Sequence, residues 1–419
     1  MNIKDIKCKN KTIYYYKTKD FATIDIRHYF YFESNKENYI KSLLLNCYLL
    51  RTNEKYKTQK EINDKTKELY GLKINITNYS PGIKSLNCFE FKMVNPRVIE
   101  EDYFLDAINF YKDIILKPNF KDNKLDKEVF SQIKKELIDK EKNNIKDPNI
   151  LNERLYYKNT FPKSIINSRI ITDIKELEEI INNIKDIDII NFYNEIMNNY
   201  VTSIAFGNLL NEEISLIENS FDFKPSKFDF KYDIKETINN KDTEIVSKDT
   251  TQSYIYFTYD IKNFKKENKY LYEVLMIMLN NSNGPIYNTY RTKMGIMYSG
   301  YSITLFNFGG MFILVNIDKA SKDKAIQGLK EIFDILHDEK ELNKLLKFAK
   351  ERIKETFISN SENVDSVINE LESYVLKNDL STEEKLKLVN KLTIKDIINQ
   401  IDNLEYKSMY FYKGDKNEK

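Results

Sequence analysis

The sequence predicts an α+β protein of two tandem halves, each a mostly antiparallel sheet packed against helices. Three observations predict this class: extended segments follow one another locally, helical segments come in long runs, and the same order of elements occurs twice. The length of 419 residues exceeds the usual domain of about 100–200 residues, so two or three domains are expected.

The first half supplies one copy of this order. Apolar residues alternate along its second extended segment, as in a strand with one buried face, and Gly71 suits the C-cap of the helix before it. The predicted segments, in chain order, are strands near 11–17 and 21–32, helices at about 36–51 and 58–69, strands at about 72–79 and 83–94, helices punctuated by proline over about 98–199, and a strand at 201–206.

The second half repeats the order. Its predicted segments are strands at about 242–248 and 252–261, a helix at about 267–280, a short helix after Gly284-Pro285, strands at about 296–306 and 310–317, helices over about 321–402, and a strand at 406–412. Leu72 after Gly71 thus corresponds to Ile296 after Gly295. We place the N-terminal domain at 1–220, a charged, polar linker at 221–241 and the C-terminal domain at 242–419.

The charges of the chain nearly cancel, with 66 Lys and Arg against 64 Asp and Glu. Nucleic-acid binding depends on clustered cations that neutralise phosphates, so we expect no nucleic-acid partner. The first residues contain no apolar signal-peptide core, and the most apolar windows, Ser42–Leu50 and Ile303–Ile317, are too short or interrupted to span a bilayer. Three scattered cysteines without a CxxC pair indicate a reducing compartment. We therefore expect a cytoplasmic protein with no membrane partner.

The chain contains only two histidines, His28 and His337. A catalytic zinc site takes two or three histidines, often one turn apart on a helix, and these two are far apart in sequence. His28 falls on the apolar face of a predicted strand, which favours a core position, and His337 follows an amphipathic helix, which favours a surface or capping position. No GxSxG nucleophile elbow or phosphate-binding loop occurs either, so the chain has no evident set of catalytic residues of its own.

Three stretches carry a resemblance to a known family. They are Lys60 to Gly71 before a β-hairpin, Glu136-Leu137-Ile138 with Lys146-Asp147-Pro148 ten residues on, and Gly284-Pro285-Ile286-Tyr287 leading into Arg291 and Tyr298 around Gly295. Together with the repeated halves, they resemble peptidase family M16, the pitrilysin/insulinase superfamily of zinc peptidases. The resemblance covers nearly the whole chain and implies two M16-like (LuxS/MPP-like) domains.

The departure lies where the family's zinc motif HxxEH would stand. There the chain has Ser42 and Asn46 in place of the zinc ligands and Leu45 in place of the general base, and Glu136 matches the family's third ligand. Leucine cannot take a proton from water, and one carboxylate does not hold zinc. We expect no metal on this chain. It resembles the non-catalytic M16 subunits and is similar to the bacterial M16-like proteins associated with modification of elongation factor P, which pair with an active sister.

The resemblance implies a role in trans for Arg291 and Tyr298. In the family, an arginine and a tyrosine seven residues apart reach across a chamber towards the zinc of the facing half. A tyrosine hydroxyl donates to the oxygen on which charge develops, and an arginine binds substrate carbonyls. The chain is then a required but zinc-free subunit that pairs with an HxxEH sister carrying the zinc, for cleavage of peptides or leader peptides. The simpler alternative is an exposed helical arginine and an ordinary strand tyrosine.

Two other functions fit the same sequence. One is a structural scaffold with the fold but no role in proteolysis. The other is a homodimeric peptide-binding module that adds extended peptides to a sheet edge. The Arg291 and Tyr298 pair favours the peptidase subunit over the scaffold, whereas nothing in this chain separates it from the homodimeric module.

Overall fold

The structure is a computed structural model that describes residues 6–9, 13–80, 85–221, 223, 236–305, 308–377 and 379–416. The predicted linker at 221–241 and the Ser80-Pro81-Gly82 turn lie mostly outside these residues.

The first half contains a six-stranded sheet of order β1-β2-β6-β3-β5-β4. Its strands are β1 (Ile6–Lys9), β2 (Ile13–Lys17), β3 (Thr23–Phe32), β4 (Lys73–Tyr79), β5 (Ser85–Val94) and β6 (Val201–Gly207). The pairing of β2 with β6 is parallel and the other pairings are antiparallel. The helices are α1 (Lys36–Leu49), α2 (Gln59–Glu68), α3 (Pro96–Ile99), α4 (Phe104–Leu116), α5 (Lys127–Lys146), α6 (Pro148–Thr160), α7 (Ile174–Asn183), α8 (Asp186–Met197) and α9 (Asn211–Ser220).

The second half contains a five-stranded sheet of order β7-β11-β8-β10-β9. Its strands are β7 (Thr243–Ser247), β8 (Gln252–Ile261), β9 (Met297–Leu305), β10 (Gly310–Asp318) and β11 (Leu404–Gly414). Here β7 with β11 is the parallel pair. The helices are α10 (Lys269–Asn280), α11 (Lys322–His337), α12 (Glu339–Ser361), α13 (Val364–Lys377), α14 (Thr382–Lys391) and α15 (Ile394–Asp402), and a π-helical turn spans Tyr287–Lys293.

Local sequence explains several element ends. Thr58 and Glu61 form a capping box at the start of α2. The side chain of each residue accepts a hydrogen bond from the backbone N–H of the other. The chain leaves α2 through Gly71 at φ +69°, a conformation that glycine adopts without a Cβ clash. The hairpin strand β4 can therefore begin two residues later.

Each half contributes one helix to the sheet of the other half. Helix α6 packs on the second sheet, where the Tyr156 ring stacks on Tyr256 at a centroid distance of 4.1 Å and Asn152 Nδ2 donates to Tyr256 Oη at 2.9 Å. Helix α13 packs on the first sheet, with Leu371 in a cluster around Tyr29. Both sheets are thus covered on two faces, by their own helices and by the helix from the other half.

The predicted fold class is confirmed: two mostly antiparallel sheets pack against helices in an α+β protein. The sequence patterns did not predict the short helix α3, the helix α9 or the exchange of α6 and α13. The exchange explains why β8 is buried along nearly its whole length, because helices from both halves cover it.

Candidate functional site

The first candidate site is the face of α1 where a zinc motif would stand. Leu45 is fully buried in the first-half core. Ser42 and Asn46 lie one turn apart and point at the β4–β5 hairpin, where Asn78 and Asn87 are cross-strand partners. Ser42 and Asn46, at the positions of the family's zinc ligands, therefore lie close together, but both are buried against the hairpin.

These four polar residues form an amide and hydroxyl cluster. Ser42 Oγ lies 2.6 Å from Asn78 Oδ1 and 2.5 Å from Asn87 Oδ1, and Asn46 Nδ2 donates to Asn78 Oδ1 at 2.9 Å. Neutral amide oxygens and a hydroxyl are poor ligands for zinc, which prefers imidazole, thiolate or carboxylate. The hydrogen bonds of the cluster instead satisfy some of the polar groups that α1 buries against the hairpin.

Glu136 does not join this cluster. It lies on α5, forms an ion pair with Arg51 and accepts a hydrogen bond from Gln132 Nε2 at 2.8 Å. The Arg51 guanidinium lowers the pKa of the Glu136 carboxyl, so the carboxylate is already neutralised by a cation. Among the described residues, no group of three His, Cys, Asp or Glu side chains could hold a metal ion. The residues at the family's zinc position therefore do not fit zinc.

The two histidines occupy the positions that the sequence patterns favoured. His28 is fully buried, its Nδ1 lies 2.7 Å from Ser203 Oγ, and its ring stacks on Tyr111 at 5.8 Å. Burial lowers the pKa of His28 to about 3, because the charged form would lose its hydration. His337 lies in the last turn of α11, next to Asp402.

The second candidate site is the start of β9, where Arg291 contacts the backbone beside Tyr298 but is not part of the pocket that Tyr298 borders. The π-helical turn carries Arg291, and Gly295 at φ +65° reverses the chain into the strand. Arg291 Nη1 donates to the Met297 carbonyl oxygen at 2.6 Å. The guanidinium therefore fixes the peptide group that precedes Tyr298.

Tyr298 is the extra residue of a β-bulge, because Met297 pairs with Ile317 and Ser299 with Asn316. A bulge re-aims the side chain that it carries. The Tyr298 side chain is 54% exposed, and its hydroxyl donates to Asp318 Oδ1 at 2.9 Å. It borders a pocket of about 600 Å³ whose lining also includes Thr251, Gln252, Lys319, Gly414 and Lys416.

The polar partners of Tyr298 were not found by reading the sequence. Asp318 is the last residue of the otherwise largely apolar strand β10, and Lys319 follows it. A charged pair at a strand end is the signal that points to a pocket rim. Their closeness to Tyr298 depends on the pairing of β9 with β10, which the sequence does not specify. The same holds for Asn78 and Asn87 beside Ser42.

Comparisons with known proteins agree with this geometry. Residues 187–349 match a family model described as the peptidase M16 inactive domain. A conserved protein from Enterococcus faecalis has 17% identity and a TM-score of 0.83, over 99% of this chain and 100% of its own. A peptidase M16 inactive domain from Pseudomonas fluorescens has 13% identity and a TM-score of 0.73, over 99% of both chains.

A protease from Helicobacter pylori is also similar, with 12% identity and a TM-score of 0.73 over 97% of this chain and 98% of its own. A search of curated proteins found no match. The resemblance predicted from the sequence is thus confirmed to this extent: residues 187–349 match the M16 inactive domain, and the fold is similar to these structures over 97–99% of the chain. The matched segment described as inactive contains both Arg291 and Tyr298.

No helix in the described part of the chain is both long and apolar enough to cross a bilayer.

Proposed function

We propose that this chain is the zinc-free, non-catalytic subunit of a heterodimeric M16-type metallopeptidase. In this proposal it supplies Arg291 and Tyr298 in trans to a sister subunit whose HxxEH motif holds the zinc, and the pair cleaves peptides or leader peptides. The chain has no peptidase activity alone and works in the cytoplasm. A homodimer of this chain forms, if at all, only when the sister is missing.

One observation carries the proposal: Tyr298 is exposed at a bulge over a pocket, while Arg291 anchors the preceding carbonyl. In peptide hydrolysis, charge develops on the scissile carbonyl oxygen, and a preorganised donor aimed there stabilises the transition state. The exposed Tyr298 hydroxyl can serve as this donor. In the chain by itself the hydroxyl donates to Asp318, so it must turn from this carboxylate to the substrate.

The M16-like fold and the misfit at the first site support the division of labour between two chains. Ser42, Leu45 and Asn46 are committed to a core and an amide cluster, so the general base and the metal must come from elsewhere. The match to a domain described as inactive agrees with this.

Reconstitution tests the proposal. Each chain is purified alone, this one and the HxxEH sister, and the two are mixed before an assay with a library of fluorogenic peptides. We expect cleavage by the mixture and none by this chain alone. Equal cleavage by the sister with and without this chain would reject the trans role.

The scaffold alternative makes a different prediction in the same assay. A scaffold would bind the sister, but replacing Arg291 and Tyr298 would leave cleavage unchanged. Arg291→Ala, which removes the anchor of the Met297 carbonyl, separates the two functions. The trans role requires that this variant still binds the sister and that its mixture cleaves peptide more slowly.

A further inference from the structure

A groove of about 660 Å³ in the first half combines an apolar floor with an acidic rim. It lies between α3, the start of α4 and α9. The apolar lining comprises Pro96, Phe104, Leu105, Leu210 and Leu216, and the charged lining comprises Arg97, Glu100, Glu101, Asp102, Glu212 and Glu213. It shares no lining residue with the pocket beside Tyr298.

The floor exposes large aliphatic side chains to solvent. Leu105 is 54% exposed and Leu210 is 42% exposed. Covering such apolar surface on binding stabilises a complex in proportion to the area removed from water. Leu210 occupies the N-cap position of α9, where its side chain forms no capping hydrogen bond, and serine or asparagine would suit the helix better. Local helix stability therefore does not explain this leucine.

The rim carries an excess of negative charge in a chain whose total charges nearly cancel. Arg97 donates to both carboxylate oxygens of Glu213, at 2.9 and 3.1 Å, and so neutralises that residue. The other four acids, Glu100, Glu101, Asp102 and Glu212, form no ion pair with any residue that the structure describes. Four carboxylates around two exposed leucines repel phosphates, which excludes a nucleic acid or an anionic membrane surface as the occupant.

We propose that this groove docks a lysine- or arginine-bearing amphipathic segment of another protein. Its apolar side chains cover Leu105 and Leu210, and its cations meet the four unpaired carboxylates. The docking surface goes beyond the proposed peptidase role, because it uses neither Arg291 nor Tyr298.

The test measures binding of a defined probe to the full chain. The probe is a fluorescein-labelled 14-residue peptide with leucine at positions i, i+3, i+4 and i+7 and lysine elsewhere on the helix. A second peptide carries glutamate in place of lysine. By fluorescence anisotropy we expect the lysine peptide to bind, with an affinity that falls as salt is added, and the glutamate peptide not to bind.

Two variants place the binding in the groove. Leu210→Ser removes apolar floor while it supplies a good N-cap, and Glu101→Lys/Asp102→Lys reverses two rim charges. Each should weaken binding of the lysine peptide roughly tenfold or more, equivalent to about 1.4 kcal/mol. Ile358→Ser and Glu351→Lys, on the exposed surface of α12, are the matched controls and should bind as the wild type does.

Three results would overturn the proposal. The first is that the lysine peptide does not bind the wild-type chain. The second is that it binds the two groove variants as tightly as it binds the wild type. The third is that the wild-type chain forms a dimer by analytical ultracentrifugation that Leu210→Ser dissociates, which would make a second copy of the chain the occupant.

Discussion

His28 lies among aromatic rings, with Ser203 as its hydrogen-bonding partner on β6. A histidine with this environment stays neutral, and burial holds its pKa near 3. In the unfolded chain the same side chain takes up a proton near its ordinary value of 6.5. The residue is therefore a structural group, and its clearest measurable property is the effect of pH on stability.

We expect acid to destabilise the protein through His28. Between pH 6.5 and 3 the unfolded state binds a proton at this side chain that the folded state does not, so stability falls as the pH falls. The contribution reaches about 2 kcal/mol at pH 5 relative to pH 7.5. The measurement is urea unfolding of the wild type and His28→Gln at both pH values, and the variant should lose less stability.

His337 provides the control for this measurement. The Phe333 carbonyl and Asp402 raise the pKa of His337, so its protonated form favours the folded state below its folded pKa and that contribution disappears as the pH rises. His337→Gln should therefore shift the pH dependence in the opposite direction. An unchanged pH dependence in His28→Gln would contradict the buried, neutral histidine.

At the scale of elements, β9 is the edge strand of the second sheet and carries Tyr298. Its outer edge is closed at the centre, because the Asn280 side chain accepts from the Ser302 N–H at 2.7 Å and donates to the Ser302 carbonyl at 2.8 Å. The amide thus imitates one residue of a neighbouring strand. Adding an extended peptide along β9 would displace it, which argues against the homodimeric peptide-binding module at this edge.

We expect Asn280→Ala to open this edge. The change removes three hydrogen bonds with Ser302, two of them with its backbone, each contributing about 0.5–1.5 kcal/mol. It leaves the backbone groups of Ser302 free to pair with another chain. Light scattering should show concentration-dependent association that exceeds that of the wild type at the same concentration. Asn263→Ala, which removes a side-chain contact with Asn403 away from this edge, is the control.

The sequence predicted most elements of both halves, because alternating strands, capped helices and glycine turns are local signals. It also placed Arg291 and Tyr298 on either side of the Gly295 turn, and their role at a site on a sister subunit stays a prediction. It could not predict Asp318 beside Tyr298 or Asn87 beside Ser42. Both contacts depend on strand register, and register is set by the packing of a whole sheet.

At the scale of the molecule, the exchange of α6 and α13 joins the two halves into one folded unit. Arg27 on β3 pairs with Asp25 at 2.9 Å and with Glu372 of α13 at 2.5 Å, and the Tyr29 hydroxyl also donates to Glu372. All of these side chains are buried or nearly so. Local sequence patterns cannot predict such a cluster, because it unites residues more than 300 positions apart.

We expect Arg27→Met to destabilise the whole protein by about 3–5 kcal/mol, because it leaves two buried carboxylates without their cation. Urea unfolding followed by circular dichroism measures this loss. Arg352→Met, which breaks an exposed pair with Glu355, should cost at most about 1 kcal/mol. Equal effects of the two substitutions would show that the buried cluster does not hold the halves together.

The central claim concerns the whole assembly: this chain contributes a transition-state donor to a site whose zinc lies on a sister subunit. The most direct measurement is kcat of the reconstituted pair with Tyr298→Phe, compared with Tyr301→Phe, another exposed tyrosine on the same strand. We expect Tyr298→Phe to lower kcat roughly 100-fold with KM and subunit association little changed, and Tyr301→Phe to have a small effect. Wild-type kcat in the Tyr298→Phe pair would contradict the account.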